Sequence, residues 1–440
     1  MKVCYFLPWF SPAIIGGTEI YLVSLAAVVR AAGVEVTIIC PSKETEPEQF
    51  EVNGIPVITT PFIKLNPPGK QATGGMPPDQ FAAFCIFLQK LAPDVLHFHG
   101  FWQKHIFYLE AAHRLKIRTV ITPHLATFTC LKGDLMFKDT TVCDGHVSVG
   151  KCSGCLIAQK TKGHRIAGMS LSLLANSLYR LKIHPGESGR LAKTITLPFS
   201  VRNQLNIFRR IDEAVDALVA LSPWYEKVLV QNGFNRDKVR LIRTSPERHP
   251  SGDRKDDPAT GRLRMVFVGR QTREKGFHLL LDAISRFRPG EICLYLFGKV
   301  YEEDLESQVR SLKTAGFDIR QEGEIPHREL LTRLAQMDVL CLPSTCVEMA
   351  PLVVQEAFAA GVPVIGARLG GIADSIKDHT NGLLFKPNDA DDLAEKISLL
   401  LLEPGLLGAL KQAAGSSFEV TDIRGSHIQL YQEILHKPWI

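Results

Sequence analysis

Hydrophobic positions along this chain come in short unbroken runs, each followed by a stretch in which they recur every three or four residues. "KVCYFLP" is the first run; "TEIYLVSLAAVVRAAG" then shows helical spacing and ends in Gly33, and "VEVTIICP" is the next run. "PDVLHFHG" at 93–100 and "RTVITPH", ending at His124, read as further strands with a helix over 105–116 between them. Short apolar runs of this kind are strands buried on both faces. Their alternation with helices predicts an α/β protein with a parallel, doubly wound sheet.

The alternation breaks from about 125 to 212, where a cysteine-bearing loop precedes a basic block. It resumes with strand "ALVALS" (217–222), helix "PWYEKVLVQNG" and strand "KVRLIRTSP". "PERHPSGDRKDDPATG" follows, rich in Pro, Gly and charge, and reads as a linker. A second alternating unit begins with strand "RMVFVGR", helix "GFHLLLDAISRF", strand "CLYLFGK" and a charged helix over about 302–315, then continues with strands "VLCLPS" and "VPVIGA". A chain of 440 residues exceeds what one core usually holds. The pattern therefore predicts two Rossmann-like domains facing a cleft, the first over 1–250 with the insertion at about 125–212, the second over 262–420. A closing helix over 421–440 is expected to pack back on the first domain.

Composition changes this picture little: 45% hydrophobic and 22% charged residues are those of an ordinary globular protein. No apolar run approaches the roughly 20 residues of a membrane span. "MKVCYFLPWFSP" lacks the pattern of a cleavable leader, so a cytoplasmic location is expected. The ten cysteines are then expected as thiols or metal ligands. Charge is uneven. The net is +5, yet 158–210 carries ten Lys or Arg against Glu187 alone, a local +9 on a body of −4. Such a block suggests an anionic partner: a lipid surface, a phosphorylated substrate or nucleic acid.

Candidate chemistry concentrates in "CVEMAPLVVQEAFAAG" (346–361). Pro351 suits the first turn of a helix, and Gly361 ends it. The backbone N–H groups of Leu352 and Val353 would then be unpaired at the helix start, a small anion site backed by the helix dipole. Glu348 precedes this site and Glu356 follows it. A carboxylate, a phosphate-sized positive pocket and a second carboxylate match a nucleotide-sugar: sugar hydroxyls, diphosphate, ribose hydroxyls. Taken alone, the two glutamates also fit a solvated loop residue and an exposed helix position.

The ordered set of Gly16-Gly17, "PDVLHFHG", "TPH", "VGRQTREKG", "EMAPLVVQEAFAAGVPVIGARLGGIAD" and "NGLLF" resembles the retaining glycosyltransferases of the GT-B fold, glycosyltransferase family 4, of the glycogen-synthase-like and polysaccharide-assembly type. The likeness covers most of the chain. It implies that Arg270 and Lys275 bind the donor diphosphate and favour charge developing on it as it leaves. It implies that Glu348 contacts the donor sugar near the reacting centre and that Glu356 takes the ribose hydroxyls. By the same likeness His124 is the catalytic histidine, and Gly16 and Gly17 let backbone approach the donor or acceptor. His97 and His99 share one strand face, and His99 is a further candidate for donor or acceptor contact. Gly370-Gly371 would form a side-chain-free wall by the donor sugar, and Asn381-Gly382 a turn. Two departures stand out: Thr244-Ser245-Pro246 replaces the usual end of the first domain's last strand, and Met349 follows Glu348. Asp389 and Asp391 in "NDADDL" read as a helix start, not as an Asp-x-Asp metal site.

The insertion carries Cys130, Cys143, Cys152 and Cys155, the last two as "CSGC". Its alternatives are a structural zinc, with His146 able to substitute for one sulfur, an iron–sulfur cluster, or free thiols. "AGMSLSLLANSLYRLKIH" places Leu171, Leu174, Leu178 and Leu181 on one helical face beside Arg165, Arg180 and Lys182. It reads equally as a helix lying on an anionic bilayer and as an internal helix with a basic edge.

The leading expectation is thus a retaining, metal-independent hexosyltransferase moving a sugar from a nucleotide-diphosphate sugar to a glycan or lipid-linked acceptor in cell-envelope or exopolysaccharide synthesis. It would need no cofactor for its chemistry and could sit peripherally on the inner membrane face. A GT-B sugar-nucleotide epimerase would instead turn over donor without acceptor. A phosphorylase would need a lysine-held pyridoxal phosphate, for which the sequence offers no candidate. A metal-clipped nucleic-acid-binding protein would show a steep salt slope and no loss on Glu356→Ala. Donor base, sugar, acceptor and oligomeric state are not legible in the sequence.

Overall fold

The computed structural model describes residues 1–11, 16–42, 44, 46–63, 77–138, 141–161, 165–183, 189–244, 262–417 and 422–439. The linker segment 246–261 lies outside the described residues. The chain divides into two compact units, Met1–Arg243 with Asp422–Ile440, and Thr244–Thr421.

Unit 1 is built on an eight-stranded sheet in the order β10-β9-β6-β5-β1-β2-β4-β3. Its strands are β1 (Lys2–Phe6), β2 (Glu35–Pro41), β3 (Glu48–Val52), β4 (Ile55–Thr60), β5 (Val95–Phe98), β6 (Arg118–Ile121), β9 (Ala217–Ala220) and β10 (Val239–Leu241). All pair in parallel except β3, which runs antiparallel to β4 at one edge. That edge hairpin turns at Asn53-Gly54, both with positive φ, the geometry a two-residue hairpin needs. Helices α1 (Gly17–Ala31), α2 (Pro78–Leu91), α3 (Ile106–Arg114) and α8 (Pro223–Gln231) alternate with the strands. Ser222 caps α8 by accepting the N–H of Tyr225.

The insertion is largely helical. A two-residue-per-strand hairpin, β7 (Met136–Phe137) and β8 (Thr141–Val142), leads into α4 (Val149–Lys160), α5 (Arg165–Arg180), α6 (Gly189–Ile195) and α7 (Leu197–Ala214). Ile157, Ala175 and Ile195 form its small core, with Leu171, Leu178 and Leu197 packed against them. This corrects the expected four-leucine face. Leu171 and Leu178 turn inward, whereas Leu174 and Leu181 are 47% and 67% exposed. At 100° per residue the two pairs sit about 60° apart on the helix, enough to separate a packed stripe from its rim. Arg210 joins α7 to α3 through two 2.9 Å bonds to the Glu110 carboxylate.

The last helix, α16 (Ile423–His436), belongs to unit 1. It buries His427 and Tyr431 against the sheet, where Tyr431 Oη lies 2.8 Å from His97 Nδ1 and 3.3 Å from Tyr5 Oη.

Unit 2 has a six-stranded, all-parallel sheet in the order β13-β12-β11-β14-β15-β16. Its elements are β11 (Leu263–Val268), α9 (Phe277–Ile284), β12 (Ile292–Phe297), α10 (Glu303–Thr314), β13 (Asp318–Gly323), α11 (His327–Leu334), β14 (Val339–Leu342), α12 (Leu352–Ala359), β15 (Val364–Ala367), α13 (Gly370–Ser375), β16 (Gly382–Phe385), α14 (Ala390–Leu402) and α15 (Pro404–Ser417). Val266, Leu340, Val354, Phe358, Val364 and Leu384 stand in one buried core between sheet and helices. Asp338 anchors the start of β14: it pairs with Arg264 at 3.1 Å and with Lys411 at 2.6 Å.

Asp389 caps α14, accepting the N–H groups of Asp391 and Asp392. Those bonds hold its carboxyl below the usual carboxylate range. The cap therefore stabilises the fold above the unfolded-state value of about 3.9 and is lost as pH falls through the lower folded one. Asp389→Ala is expected to cost about 1 kcal/mol at neutral pH, a fall in melting temperature of roughly 2–4 °C. Thermal melts at decreasing pH should show that difference vanish in strong acid.

Candidate active site

In both sheets the strand order reverses beside the first strand of the unit, between β1 and β5 and between β11 and β14. The carboxyl ends of strands at such a reversal splay their loops apart and leave a crevice. The predicted residues of each unit follow strands at that reversal or next to it.

In unit 2, Arg270 and Lys275 follow β11, Glu348 follows β14, and Gly370-Gly371 follows β15. Lys275 Nζ lies 3.0 Å from Glu348 Oε2, with both side chains largely buried. Ser344 Oγ donates to the other carboxylate oxygen, Oε1. Burial works against the charge on Lys275, but the Glu348 carboxylate overrides it and holds the amine above its usual value. Arg270 is exposed, makes no ion pair among the described residues, and is close enough for its charge to be felt at Lys275. One site cation is thus compensated and the other is open to an anion.

Backbone packing sets this geometry. Thr345 N–H donates to Glu274 O at 3.0 Å, and its hydroxyl to Arg273 O at 3.0 Å, tying the two loops together. Gly276 has φ +70°, and a Cβ there would fall 1.7 Å from the Pro343 carbonyl oxygen. Gly371 N–H donates to Glu348 O at 2.9 Å, and a Cβ on Gly371 would fall 2.1 Å from Met349 O. Only glycine permits either approach.

Helix α12 starts one residue later than the sequence suggests, with Pro351 as its cap. The N–H groups of Leu352 and Val353 make no backbone hydrogen bond among the described residues. Glu356 is 5% exposed, so the exposed-helix alternative is excluded. Its Oε1 lies 2.7 Å from His327 Nε2, at the start of α11.

Unit 1 carries His124, Gly16 and Gly17. His124 follows β6, is partly buried, and its Nε2 lies 3.1 Å from His99 Nδ1. Its ring also meets Tyr21 edge-on at 5.0 Å. Burial and the neighbouring His427 push His124 down to about 3. Burial likewise lowers His97 and His99 well below the usual histidine value and takes His427 to about 4. His124 is therefore a neutral ring at neutral pH. Gly16 caps α1 in extended backbone, so its freedom is spatial rather than conformational: a Cβ would meet Glu19 Oε2 at 2.5 Å. Glu19 is itself buried, and its carboxyl accepts from the Gly16 N–H. Gly17 is exposed.

Known proteins resemble this chain in sequence and in fold. Residues 252–416 match the family described as glycosyl transferases group 1. Residues 16–153 match the glycosyl transferase 4-like domain. The chain thus carries a glycosyl transferase 4-like domain followed by a group 1 glycosyl transferase domain. It is 31% identical to the glycogen synthase of Mycobacterium tuberculosis over 182 residues, 40% of its own length and 43% of the relative's. It is 25% identical to the amylovoran biosynthesis glycosyltransferase AmsK of Erwinia amylovora over 279 residues, 60% of its length and 67% of the relative's. The match thus spans less than half of the glycogen synthase. The crystal structure of Anabaena HepE in complex with UDP superposes with a TM-score of 0.66 at 16% identity, over 98% of this chain and 100% of that chain. Both units have the doubly wound form of the GT-B fold.

The four insertion cysteines line one pocket together with His146. Three of their sulfurs have different partners: Cys130 accepts from Gly133 N–H, Cys155 from Lys138 N–H, and Cys143 donates to Asp144. Burial pushes the thiols of Cys143, Cys152 and Cys155 up. Among the described residues no three His, Cys, Asp or Glu side chains group closely enough to hold a metal ion. Sequence reasoning passed over Ser344, Glu19 and His327. Ser344 carried a faint signal, four residues before Glu348. His327 carried none, since 29 residues separate it from Glu356.

Proposed function

We propose that this protein transfers a hexosyl group, with net retention, from a nucleoside-diphosphate sugar to a glycan or lipid-linked acceptor in cell-envelope or exopolysaccharide assembly. The observation that carries the reading is the cation pair at the β11–β14 reversal, with Lys275 held charged against Glu348 and Arg270 open. The names of the relatives support it too: glycogen synthase, amylovoran biosynthesis, and HepE in complex with UDP.

In this reading Arg270 and Lys275 take the diphosphate, joined by the open N–H groups of Leu352 and Val353. Negative charge grows on the diphosphate as the C–O bond breaks, so these donors favour the transition state over the bound ground state. Glu348, fixed by Ser344 and Lys275, meets sugar hydroxyls beside the reacting carbon. Glu356 accepts from the ribose hydroxyls, its free oxygen available while Oε1 faces His327. His124 is neutral and exchanges a hydrogen bond with the donor sugar rather than a charge. The acceptor hydroxyl attacks on the face the diphosphate leaves, and its proton passes to a diphosphate oxygen.

Titration calorimetry with nucleoside diphosphates tests the assignment. Glu356→Gln keeps the buried volume but removes the charged acceptor, and is expected to weaken binding about tenfold or more. Unchanged affinity in the folded variant would remove Glu356 from the site.

A further inference from the structure

Large apolar side chains at a surface are ordinary when scattered and informative when grouped. Six of the fourteen exposed large hydrophobic residues among the described ones fall between residues 169 and 191. Met169, Leu173, Leu181 and Leu191 are 60–70% exposed, and Leu174 and Ile183 about half. The first three and Leu174 share one broad face of α5 and the turn that ends it. The neighbouring stripe is already packed on Ile157 and Ile195 through Leu171, Ala175 and Leu178. The helix therefore carries a packed apolar stripe and, beside it, an exposed one.

The same surface is cationic. Arg180, Lys182, Arg190 and Lys193 are exposed and make no ion pair among the described residues. They belong to the stretch whose net charge is +9 on a remainder of −4. Exposed apolar side chains interleaved with unpaired cations match the boundary of an anionic bilayer, where tails take the former and headgroups the latter. A second copy of this chain is the poorer occupant, because two such faces would repel. No helix among the described residues is long and apolar enough to cross a membrane, so the geometry is that of a helix lying on one.

We infer that the exposed face of α5 and α6 docks this protein on an anionic lipid surface. The inference does not depend on the transfer reaction, so the two fail separately. Co-sedimentation of the full chain with phosphatidylcholine vesicles, with and without phosphatidylglycerol, tests it. Binding is expected only with the anionic lipid and should fall with added salt. Arg190→Ala with Lys193→Ala should weaken it about twenty-five-fold, at roughly fivefold per cation. Leu173→Asp with Leu181→Asp should abolish it while leaving the melting temperature unchanged, since neither side chain is packed. Equal binding to neutral vesicles, or full binding by the leucine double variant, would overturn the inference. So would a dimer in solution that the leucine variant dissociates while vesicle binding persists.

Discussion

Lowering the pH from about 7 to about 5 is expected to unfold unit 1 well before unit 2. His97, His99 and His427 are wholly buried, and burial holds all three below the value of an unfolded histidine. The sign follows from linkage. The unfolded chain takes up protons as pH drops below about 6.5, while the folded rings stay neutral, so stability falls with falling pH. At pH 5 each ring that cannot charge costs about 2 kcal/mol, so the three together cost about 6. That is comparable with the whole stability of a typical domain, roughly 5–15 kcal/mol. His124 adds in the same direction, since burial holds its ring neutral as well. Calorimetry from neutral to acid pH should show one transition moving to low temperature ahead of the other. His427→Gln, which cannot protonate, should move that acid midpoint down. A unit 1 transition that stayed level across this range would contradict the neutral-histidine cluster.

The double substitution Arg270→Ala with Lys275→Ala is expected to lower kcat/KM by about a thousandfold. Each cation can make a charge-assisted bond to the leaving diphosphate worth roughly 1.5–3 kcal/mol, and tenfold in rate corresponds to about 1.4 kcal/mol. The two single variants should differ in kind. Arg270 is exposed and makes no ion pair among the described residues, so its loss should leave the melting temperature unchanged. Lys275 compensates Glu348, so its loss leaves a largely buried carboxylate held by Ser344 alone and should also destabilise unit 2. Steady-state turnover of a nucleotide-sugar, paired with melts of both variants, separates the roles. Near-normal turnover by the folded double variant would displace the donor site from the β11–β14 reversal.

Fold class was legible because parallel strands are buried on both faces, and burial writes itself as short apolar runs such as those of β1, β2, β11 and β14. The edge hairpin was equally available in Asn53-Gly54 but passed unread, because the strands around it are short and mixed in polarity. The helices of the insertion were harder to read. Their packed residues are few, and a spacing of three and four does not say which of two adjacent stripes meets the core.

For the site, sequence alone determined the residue types and their order: a cation loop after one strand, a carboxylate before a helix and another within it. Those are local properties, set by spacing and by what a helix start or a glycine pair can do. Only the tertiary structure decided which charges compensate each other. Lys275 meets Glu348 because β11 and β14 are neighbours in the sheet although 70 residues separate their ends. His327 reaches Glu356, and His427 joins His97, His99 and His124, through packing that brings distant segments together. Contact between residues far apart in the chain depends on how the whole core closes, and no local pattern carries that information.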